Sequence, residues 1–368
     1  MRIEGEHYRS IWLDAATGRP KIVDQTALPH RLIVRELADL DAAAEAIRVM
    51  RVRGAPLIGA TAAHGLALAL AVDPTDAALE AARRRLVETR PTAVNLRWAL
   101  DRVAAVVEPL APEARAARAR AEAEAICEAD VSTCERIGDH GLALLRRLAE
   151  AKPGAPVQLL THCNAGWLAT VDWGTALAPI YKAHDEGLPI HVWVDETRPR
   201  NQGSSLTAFE LREMGIPHTV IVDNAGGHLM QRGEVDAVIV GSDRTTATGD
   251  VCNKIGTYLK ALAAHDNGIP FYVALPTSTI DWTRSDGVAE IPIEERDAAE
   301  VREVTGRSTS GALETVALFS DESAVANPAF DVTPARLVSA LITEHGVFAP
   351  EREALASLRR SVEAVQTA

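Results

Sequence analysis

The fold of this chain is decided where a buried strand gives way to reactive side chains, in Val157-Gln158-Leu159-Leu160-Thr161-His162-Cys163-Asn164-Ala165-Gly166. Its first five residues form a short apolar run, which is typical of a strand buried on both faces of a sheet. Four further runs of this kind are each followed by Gly, Pro or polar residues and then a helical stretch, at residues 190–194, 219–222, 237–240 and 271–275. Buried strands that alternate with helices predict a doubly wound parallel sheet.

Upstream of this sheet the sequence is mainly helical. Ala, Arg, Glu and Leu recur at helical spacing over residues 76–88, 92–107 and 113–127, and the pattern continues to residue 150. Lys152-Pro153-Gly154-Ala155-Pro156 then interrupts it, because two prolines and a glycine break a helix. We therefore predict an α/β protein with a mainly helical N-terminal domain over residues 1–152, including a small sheet near its start, and a Rossmann-like domain over residues 153–368.

Composition and charge restrict the possible partners. The chain has 368 residues, of which 47% are hydrophobic and 24% charged, as in globular proteins. A net charge of −13 argues against nucleic acid or an anionic membrane surface as the main partner, since both are bound through clustered Lys and Arg. No apolar segment of signal-peptide length follows Met1, and no later run approaches the roughly 20 uninterrupted apolar residues of a membrane span. We expect a cytoplasmic protein that acts on a small molecule.

Among the four cysteines, Cys163 alone directly follows a predicted strand. The others, Cys127, Cys134 and Cys252, lie in predicted helical stretches, and the four form no CxxC pair and no zinc-ligand spacing. This pattern predicts reduced thiols. If a helix follows Cys163, exposed N–H groups and the helix dipole would lower the pKa of its thiol and supply a thiolate. The alternative is a small buried hydrophobic residue, and position alone leaves both open.

Acidic residues follow two other strands of the predicted sheet. Asp243 ends an almost uncharged strand, so desolvation is expected to raise its carboxyl pKa and to favour a general acid. The alternative is a turn cap or an ion pair with Arg244. For Asp195 and Glu196 we favour a structural ion-pair cluster with Arg198 and Arg200 over direct chemistry. Ligands of doubly wound sheets bind at the carboxyl ends of the strands, which is where these residues lie.

Two segments suit an anion, although neither is a standard nucleotide motif. The sequence contains no GxGxxG opening a βαβ unit and no GxxxxGK[ST], so a nicotinamide site or a P-loop is not supported. Arg53-Gly54-Ala55-Pro56 combines an arginine with the exposed N–H groups of a predicted helix start. Asn253 and Lys254 lead into another predicted helix start after Asp243. For the first segment the alternative is an ordinary helix start with solvated arginines. For the second, the alternative is that Lys254 is a surface lysine.

Six segments in this order resemble the 5-methylthioribose-1-phosphate isomerase family. They are Arg53-Gly54-Ala55-Pro56, Arg90-Pro91-Thr92-Ala93-Val94-Asn95-Leu96, Thr161-His162-Cys163-Asn164-Ala165-Gly166, Asp195-Glu196-Thr197-Arg198-Pro199-Arg200, Gly241-Ser242-Asp243-Arg244 and Gly249-Asp250-Val251-Cys252-Asn253-Lys254-Ile255-Gly256-Thr257-Tyr258. The resemblance extends from about residue 20 to residue 345, and six ordered motifs are far more specific than one. The superfamily also includes ribose-1,5-bisphosphate isomerases and regulatory subunits of the exchange factor for translation initiation factor 2.

The resemblance implies a homodimeric aldose–ketose isomerase that converts 5-methylthio-D-ribose 1-phosphate into 5-methylthio-D-ribulose 1-phosphate in methionine salvage, with no cofactor and no metal. It implies Cys163 and Asp243 as the catalytic pair. The implied substrate contacts are Arg53, Gly54, Ala55, Arg97, Gln202, Asn253 and Lys254. Because the phosphate on C1 prevents the ring from opening to a free aldehyde, an acid must protonate the ring oxygen, a role we assign to Asp243. Cys163 is then the base for proton transfer from C2 to C1, unless a hydride shifts directly.

Other functions remain open at this stage. Ser242, Thr248 and Cys252 stand where the family usually has Ala, Asn and Ala, so a 5-deoxyribose 1-phosphate isomerase, or an enzyme for both sugars, is the nearest alternative. A non-catalytic regulatory subunit that binds a sugar phosphate or a nucleotide would share the fold. A thiol hydrolase using Cys163 with His162 is disfavoured, because adjacent residues on a strand point to opposite faces.

Overall fold

The N-terminal part of the chain is a helical assembly. The computed structural model describes residues 1–91 and 93–366. Its first five helices are α1 (Leu40–Arg48), α2 (Ala55–Val72), α3 (Asp76–Val87), α4 (Val94–Val107) and α5 (Pro112–Glu150). The helix predicted over residues 92–107 therefore begins at Val94, while Thr92 and the last two residues of the predicted C-terminal domain lie outside the described residues. The two stretches predicted after residue 112 form the single 39-residue helix α5.

Helix α2 lies at the centre of this assembly, in contact with α1, α3, α4 and α5. Its 18 residues have a mean hydropathy of 1.7 and satisfy the length and composition of a membrane span, although Thr61 and His64 interrupt the apolar run. However, 67% of this stretch is buried inside the protein. Small residues such as Gly59 and Gly65 leave no room for a Cβ and allow neighbouring helices to approach closely. Helix α2 is therefore the core helix of the N-terminal part.

Short strands precede these helices, as predicted. They are β1 (Arg2–Ile3), β2 (Glu6–His7), β3 (Ile11–Leu13), β4 (Pro20–Val23) and β5 (Val34–Glu36), which form two small antiparallel sheets. Ile3 and Val23 pack in the same apolar cluster as Val157 and Leu159. Apolar packing thus crosses residue 152, and the division into two domains at that position stays a prediction.

The C-terminal part consists of short strands and helices in alternation. Its strands are β6 (Val157–Thr161), β7 (Ile190–Asp195), β8 (His218–Ile221), β9 (Ala237–Val240), β10 (Arg244–Thr246), β11 (Val251–Lys254), β12 (Phe271–Ala274), β13 (Ile280–Asp281), β14 (Glu303–Arg307), β15 (Leu313–Ala317), β16 (Phe330–Thr333), β17 (Ala340–Thr343) and β18 (Gly346–Phe348). Its helices are α6 (Ala178–Asp185), α7 (Ala208–Glu213), α8 (Ala225–Gln231), α9 (Thr257–Asp266), α10 (Gly287–Glu290), α11 (Ala299–Arg302) and α12 (Arg352–Gln366).

Seven of these strands form the doubly wound sheet that the sequence predicts. The order is β18-β17-β12-β9-β6-β7-β8, and every pair is parallel except β17 with β18. Ala237 and Ile239 face the core beneath α5, α6 and α7, whereas Val238 and Val240 face the core beneath α8, α9 and α12, because side chains alternate along a strand. The chain runs from β6 out to β8 and returns to β9 on the other side of β6. The topological switch point therefore lies between β6 and β9.

One strand departs from the prediction of full burial. Strand β8 pairs only with β7 and is an edge of the sheet. Val220 is 44% exposed, and Val222, which follows the strand, is 60% exposed. Apolar character alone did not reveal this, because edge and central strands both use β-branched residues.

Candidate active site

The switch point carries a cavity of about 110 Å³. Cys163 follows β6 and Asp243 follows β9, so the two side chains reach the cavity from neighbouring parallel strands. Eight of the nine site residues predicted from the sequence line it, and they come from the start of α2, the crest of the sheet and β11. These eight are Arg53, Gly54, Ala55, Cys163, Gln202, Asp243, Asn253 and Lys254.

Cys163 has a strained backbone that its neighbours hold in place. Its φ of 66° lies in the left-handed region, which is uncommon for a residue with a side chain. Its N–H donates to Thr197 Oγ1 at 2.8 Å, and its carbonyl oxygen accepts from Thr207 Oγ1 at 2.8 Å. Both threonines are fully buried. Such conformations persist only where the surroundings enforce them, and they concentrate at functional sites.

The pKa of the Cys163 thiol is raised rather than lowered. Burial is the main cause, Asp243 adds to it, and the positive charges of Arg53 and Lys254 oppose it. The expectation of a lowered pKa was wrong because the loop is not followed directly by an α-helix. The chain forms a single 3-10 turn at Trp167–Ala169, and α6 begins only at Ala178. No α-helix therefore begins directly after Cys163 to lower the pKa of its thiol, and burial favours the thiol form.

Asp243 has the raised carboxyl pKa that its sequence position predicts. Burial is the largest cause, opposed by the positive charges of Lys254, Arg53 and Arg90. Its backbone N–H donates to Cys252 O at 3.0 Å, which ties the segment after β9 to strand β11. A carboxyl group that holds its proton nearer neutrality suits a general acid.

Arg53, which lies two residues before the start of α2, reaches the cysteine. Its Nη1 lies 3.7 Å from Cys163 Sγ, and its Nη2 donates to the carbonyl oxygen of Asn164 at 2.6 Å and to Asn164 Oδ1. Gly54 has a φ of 92°, and a Cβ there would overlap the backbone of Ala169. The glycine thus allows α2 to begin against the loop that follows Cys163. Because α2 has no side-chain cap, its first N–H groups are suited to an anion.

Behind Arg53 lies a buried carboxylate that the sequence analysis missed. Glu210 is fully buried on α7 and accepts from Asn164 Nδ2 at 2.9 Å and from Tyr181 Oη. It also accepts from the N–H groups of Trp167 and Leu168 at 3.0 and 3.1 Å. Burial raises the pKa of Glu210, and these donors oppose the rise. Asn164 therefore joins a negative charge to the positive charge of Arg53.

Lys254 and Asn253 lie on strand β11 and not at a helix start, since α9 begins at Thr257. Lys254 Nζ donates to the carbonyl oxygen of Ala329 at 2.9 Å and lies 4.6 Å from the centre of the Phe330 ring. Burial lowers the pKa of Lys254, and Cys163 and Asp243 oppose this. The lysine is thus a cation held in the cavity wall, which contradicts the alternative of a surface lysine.

The structure does not bring Arg97 to the cavity. Its side chain is exposed on α4, one turn beyond Ala93, which does line the wall. Arg90 lines the cavity instead and pairs with Glu294 at 3.1 Å. The resemblance assigned Arg97 from its motif, and a motif does not specify which way a helix is rotated. Its role as a substrate contact stays a prediction.

Beneath the cysteine lies a network around Asp195, which differs from the predicted cluster with Arg198 and Arg200. Asp195 Oδ2 lies 2.8 Å from His162 Nδ1 and 3.0 Å from Lys260 Nζ. His162, Asp195 and Asp223 are close enough to hold a metal ion. The ammonium group of Lys260 already supplies a positive charge to this carboxylate, so the residues do not favour a cation there. The other ring nitrogen of His162 lies 2.7 Å from Ile255 O, which leaves the ring badly placed as a base for Cys163.

Comparison with known proteins agrees with this geometry. The initiation factor 2 subunit family matches residues 51–350. A methylthioribose-1-phosphate isomerase from Methylorubrum populi is 66% identical over 359 residues, covering 97% of this chain and 98% of the relative. One from Rhodospirillum rubrum is 62% identical, covering 97% and 93%. The chain belongs to the methylthioribose-1-phosphate isomerase family. The resemblance and the expectation of an enzyme are thereby confirmed.

Solved structures extend the family comparison. The crystal structure of 5-methylthioribose 1-phosphate isomerase from Pyrococcus horikoshii OT3 has a TM-score of 0.82 and 38% identity, covering 97% of both chains. The crystal structure of translation initiation factor eIF-2B subunit delta from A. fulgidus has a TM-score of 0.77 and 41% identity, covering 94% of this chain and 97% of the other. The methylthioribose-1-phosphate isomerase family thus shares its fold with proteins described as initiation factor subunits.

Proposed function

We propose that this chain is an aldose–ketose isomerase that converts 5-methylthio-D-ribose 1-phosphate into 5-methylthio-D-ribulose 1-phosphate in methionine salvage. The observation that carries this proposal is the meeting of Cys163 and Asp243 at the switch point, in one cavity with Arg53 and Lys254. The reaction needs an acid, a proton acceptor and cations for a phosphate, and these four residues provide them. Family membership supports the same substrate.

Asp243 is the acid of the first step in this proposal. Its proton passes to the ring oxygen as the bond between that oxygen and C1 breaks, and C1 is left electron-poor with the phosphate still attached. Burial raises the carboxyl pKa, so the protonated form is available at higher pH than for an exposed aspartate. Arg53 and Lys254 bind the phosphate dianion and keep it oriented.

Two routes complete the isomerisation. In the proton route, the Cys163 thiolate takes the proton from C2 and an enol phosphate forms; a proton is then added at C1 as the C2 hydroxyl loses its proton and becomes the ketone. In the hydride route, hydrogen moves from C2 to C1 with its electron pair, and only the acidic proton of the C2 hydroxyl remains to be removed. Burial raises the pKa of Cys163 and so disfavours the thiolate, which the proton route requires at C2 and the hydride route does not. Substrate deuterated at C2 separates them, since deuterium stays in the product in the hydride route and is lost to solvent from a freely exchanging base.

The side chains in the cavity wall suggest a second substrate for comparison. Ser242 and Cys252, which stand where the family usually has alanine, both line the cavity, so they contribute to its shape. Isomerisation of 5-deoxyribose 1-phosphate is therefore the alternative, alone or beside the first activity. The test is turnover of 5-methylthioribose 1-phosphate, 5-deoxyribose 1-phosphate and ribose 1,5-bisphosphate by the purified protein. The ratio of kcat/KM values identifies the substrate, and lack of turnover of all three would favour a non-catalytic subunit.

The remaining expectations concern the state of the protein in the cell. We propose a cytoplasmic homodimer whose partner is the sugar 1-phosphate, without nucleic acid or membrane. The net charge of −13 supports the exclusion of polyanions as the main partner. Light scattering of the purified protein tests the dimer, for which twice the chain mass of 39.4 kDa is expected.

A further inference from the structure

A second residue with a left-handed backbone lies in the loop after β7, next to Cys163. Thr197 has a φ of 65°, close to the 66° of Cys163, and this conformation is uncommon for any residue with a side chain. Thr197 is fully buried, and Cys163 is 8% exposed. Because a left-handed backbone costs free energy at both residues, each of them needs contacts that enforce it.

One hydroxyl group links the two strained residues. Thr197 Oγ1 accepts a hydrogen bond from the N–H of Cys163 at 2.8 Å and donates one to the carbonyl oxygen of Asp195 at 3.0 Å. Its donor and one acceptor position are therefore in use, which fixes the direction of the hydroxyl. A buried N–H that loses its acceptor is destabilising, so the native turn at Cys163 depends on this hydroxyl.

The carboxylate of Asp223 holds Thr197 in turn. Asp223 follows the edge strand β8, and its Oδ1 accepts from the N–H of Thr197 and its Oδ2 from the N–H of Arg198, both at 2.7 Å. Successive backbone N–H groups that converge on one anion stabilise a turn of this kind. Lys260 donates to the carbonyl oxygen of Asp223 and lies 3.0 Å from Asp195 Oδ2, so it connects the ends of β7 and β8.

We propose that Thr197 is a positioning residue for Cys163, and that Asp223 holds Thr197 in the conformation that this role requires. The inference rests on the proposed isomerase function. Thr197 and Asp223 do not line the reaction cavity, so they act through Cys163 and not by contact with the substrate. The turn that they hold bends the chain away from β6 and leaves Cys163 Sγ 3.7 Å from Arg53 Nη1. Displacement of the thiol would slow the chemical step more than it weakens binding of the phosphate.

The first test removes the hydroxyl and keeps the shape of the side chain. Thr197→Val loses the acceptor for the Cys163 N–H, and Thr197→Ser keeps it. With 5-methylthioribose 1-phosphate, kcat should fall by about 10- to 100-fold in Thr197→Val. KM should change little, because Arg53 and Lys254 remain, and Thr197→Ser should keep most of the native kcat. A native kcat in Thr197→Val, a loss confined to KM, or equal losses in the two variants would overturn the inference.

Thr343→Val is the matched control for the loss of a buried hydroxyl. Thr343 is fully buried on β17, and its Oγ1 accepts from the N–H of His345 and donates to Gly346 O, both at 3.2 Å. It does not line the reaction cavity, so Thr343→Val loses the same two kinds of hydrogen bond and should keep the native kcat. A fall in kcat as large as that of Thr197→Val would indicate a general loss of packing and overturn the inference.

A second measurement does not depend on the substrate. The rate of alkylation of Cys163 by iodoacetamide is followed against pH in each variant. In Thr197→Val the thiol is no longer held beside Arg53, so the midpoint should shift to higher pH, while Thr197→Ser and Thr343→Val should keep the native midpoint. An unchanged midpoint in Thr197→Val would overturn the inference. Lack of turnover by the native protein would overturn the proposed function, and the alkylation profile would still decide whether Thr197 positions the thiol.

Asp223→Asn supplies a second variant if Thr197→Val does not fold. Its amide loses one of the two acceptors for the backbone N–H groups, so the alkylation midpoint of Cys163 should again shift to higher pH. Loss of a negative charge alone would shift the midpoint to lower pH, which separates displacement of the thiol from electrostatics. The control is Asp250→Asn, because the two oxygens of Asp250 also accept one backbone N–H each, at 2.9 Å, outside the reaction cavity. An unchanged or lowered midpoint in Asp223→Asn would overturn the role of Asp223.

Discussion

The guanidinium Nη1 of Arg53 lies 3.7 Å from the sulfur of Cys163. The arginine is nine-tenths buried, and its positive charge opposes the burial that raises the pKa of the thiol. Arg53 lies just before helix α2, and Cys163 lies just after the central strand β6. This contact therefore joins the helical part of the protein to the crest of the sheet.

Removal of this charge is expected to raise the pKa of Cys163 further. In Arg53→Met the thiolate loses a neighbouring cation, so alkylation of Cys163 by iodoacetamide should require a higher pH. The measurement is the alkylation rate of the Cys163 peptide against pH, by mass spectrometry. Arg51→Met is the control, because Arg51 pairs with Glu45 and does not line the cavity. An identical pH profile in Arg53→Met and in the native protein would contradict the electrostatic role.

Replacement of Asp243 by asparagine is expected to lower the activity and to raise the stability at pH 7. Because its folded pKa is raised, the protonated carboxyl stabilises the fold at low pH, and this contribution is lost as pH rises through the folded pKa. Asp243→Asn keeps a neutral side chain at every pH, so its Tm at pH 7 should exceed that of the native protein. Its kcat should fall by about 10²- to 10⁴-fold through loss of the acid. Scanning calorimetry at pH 4 and pH 7 checks the sign, and a variant less stable than the native protein at pH 7 would refute the argument.

Glu210 is expected to act through Asn164 and Arg53. In Glu210→Gln the new amide NH₂ group faces groups that already donate hydrogen bonds, so Asn164 is no longer held in one orientation. Arg53 then loses the side-chain acceptor that Asn164 provides. We expect kcat/KM to fall by about 10- to 100-fold, with KM rising as the phosphate contact weakens. Tyr181→Phe is the matched control, because it removes another donor to the same carboxylate without touching Asn164. Equal effects of the two variants on KM would indicate a general loss of packing instead.

The backbone at Gly54 is expected to tolerate no side chain. Gly54→Ala combines a φ of 92° with an overlap between the new Cβ and the backbone of Ala169. Gly154→Ala has a similar φ of 79° but no atom within 4 Å, so it measures the backbone strain alone. We expect a loss of about 1 kcal/mol for Gly154→Ala and several kcal/mol for Gly54→Ala. Urea unfolding of both variants gives the difference, and equal losses would mean that the close approach of α2 to Ala169 is not required.

The sequence predicts the sheet well because buried parallel strands are short apolar runs. The bounds of β6 and β9 agree with the predicted runs, but β17 was not among them. The prediction that β8 is fully buried was wrong. Whether a strand is central or at an edge depends on which strands pair, and pairing is a long-range property.

Sequence motifs predicted the site residues that lie at strand ends. They did not predict the contacts between elements that are distant in the sequence. Strand ends placed Cys163 and Asp243 correctly at one crest. The link from Glu210 to Arg53 was not visible, because α7 and α2 are more than 130 residues apart and meet only in the fold. The raised pKa of Cys163 was missed for a local reason, since the expected helix after the loop is a single 3-10 turn.

The most direct test of the account is a phosphorus NMR time course of 5-methylthioribose 1-phosphate with the native protein, with Cys163→Ser and with Asp243→Asn, without added cofactor. The account predicts that the native protein converts the aldose 1-phosphate signal into that of the ketose 1-phosphate, and that both folded variants lose nearly all of this activity. An unchanged aldose signal with folded native protein would contradict the proposed function. Undiminished conversion by either variant would contradict the role assigned to that residue.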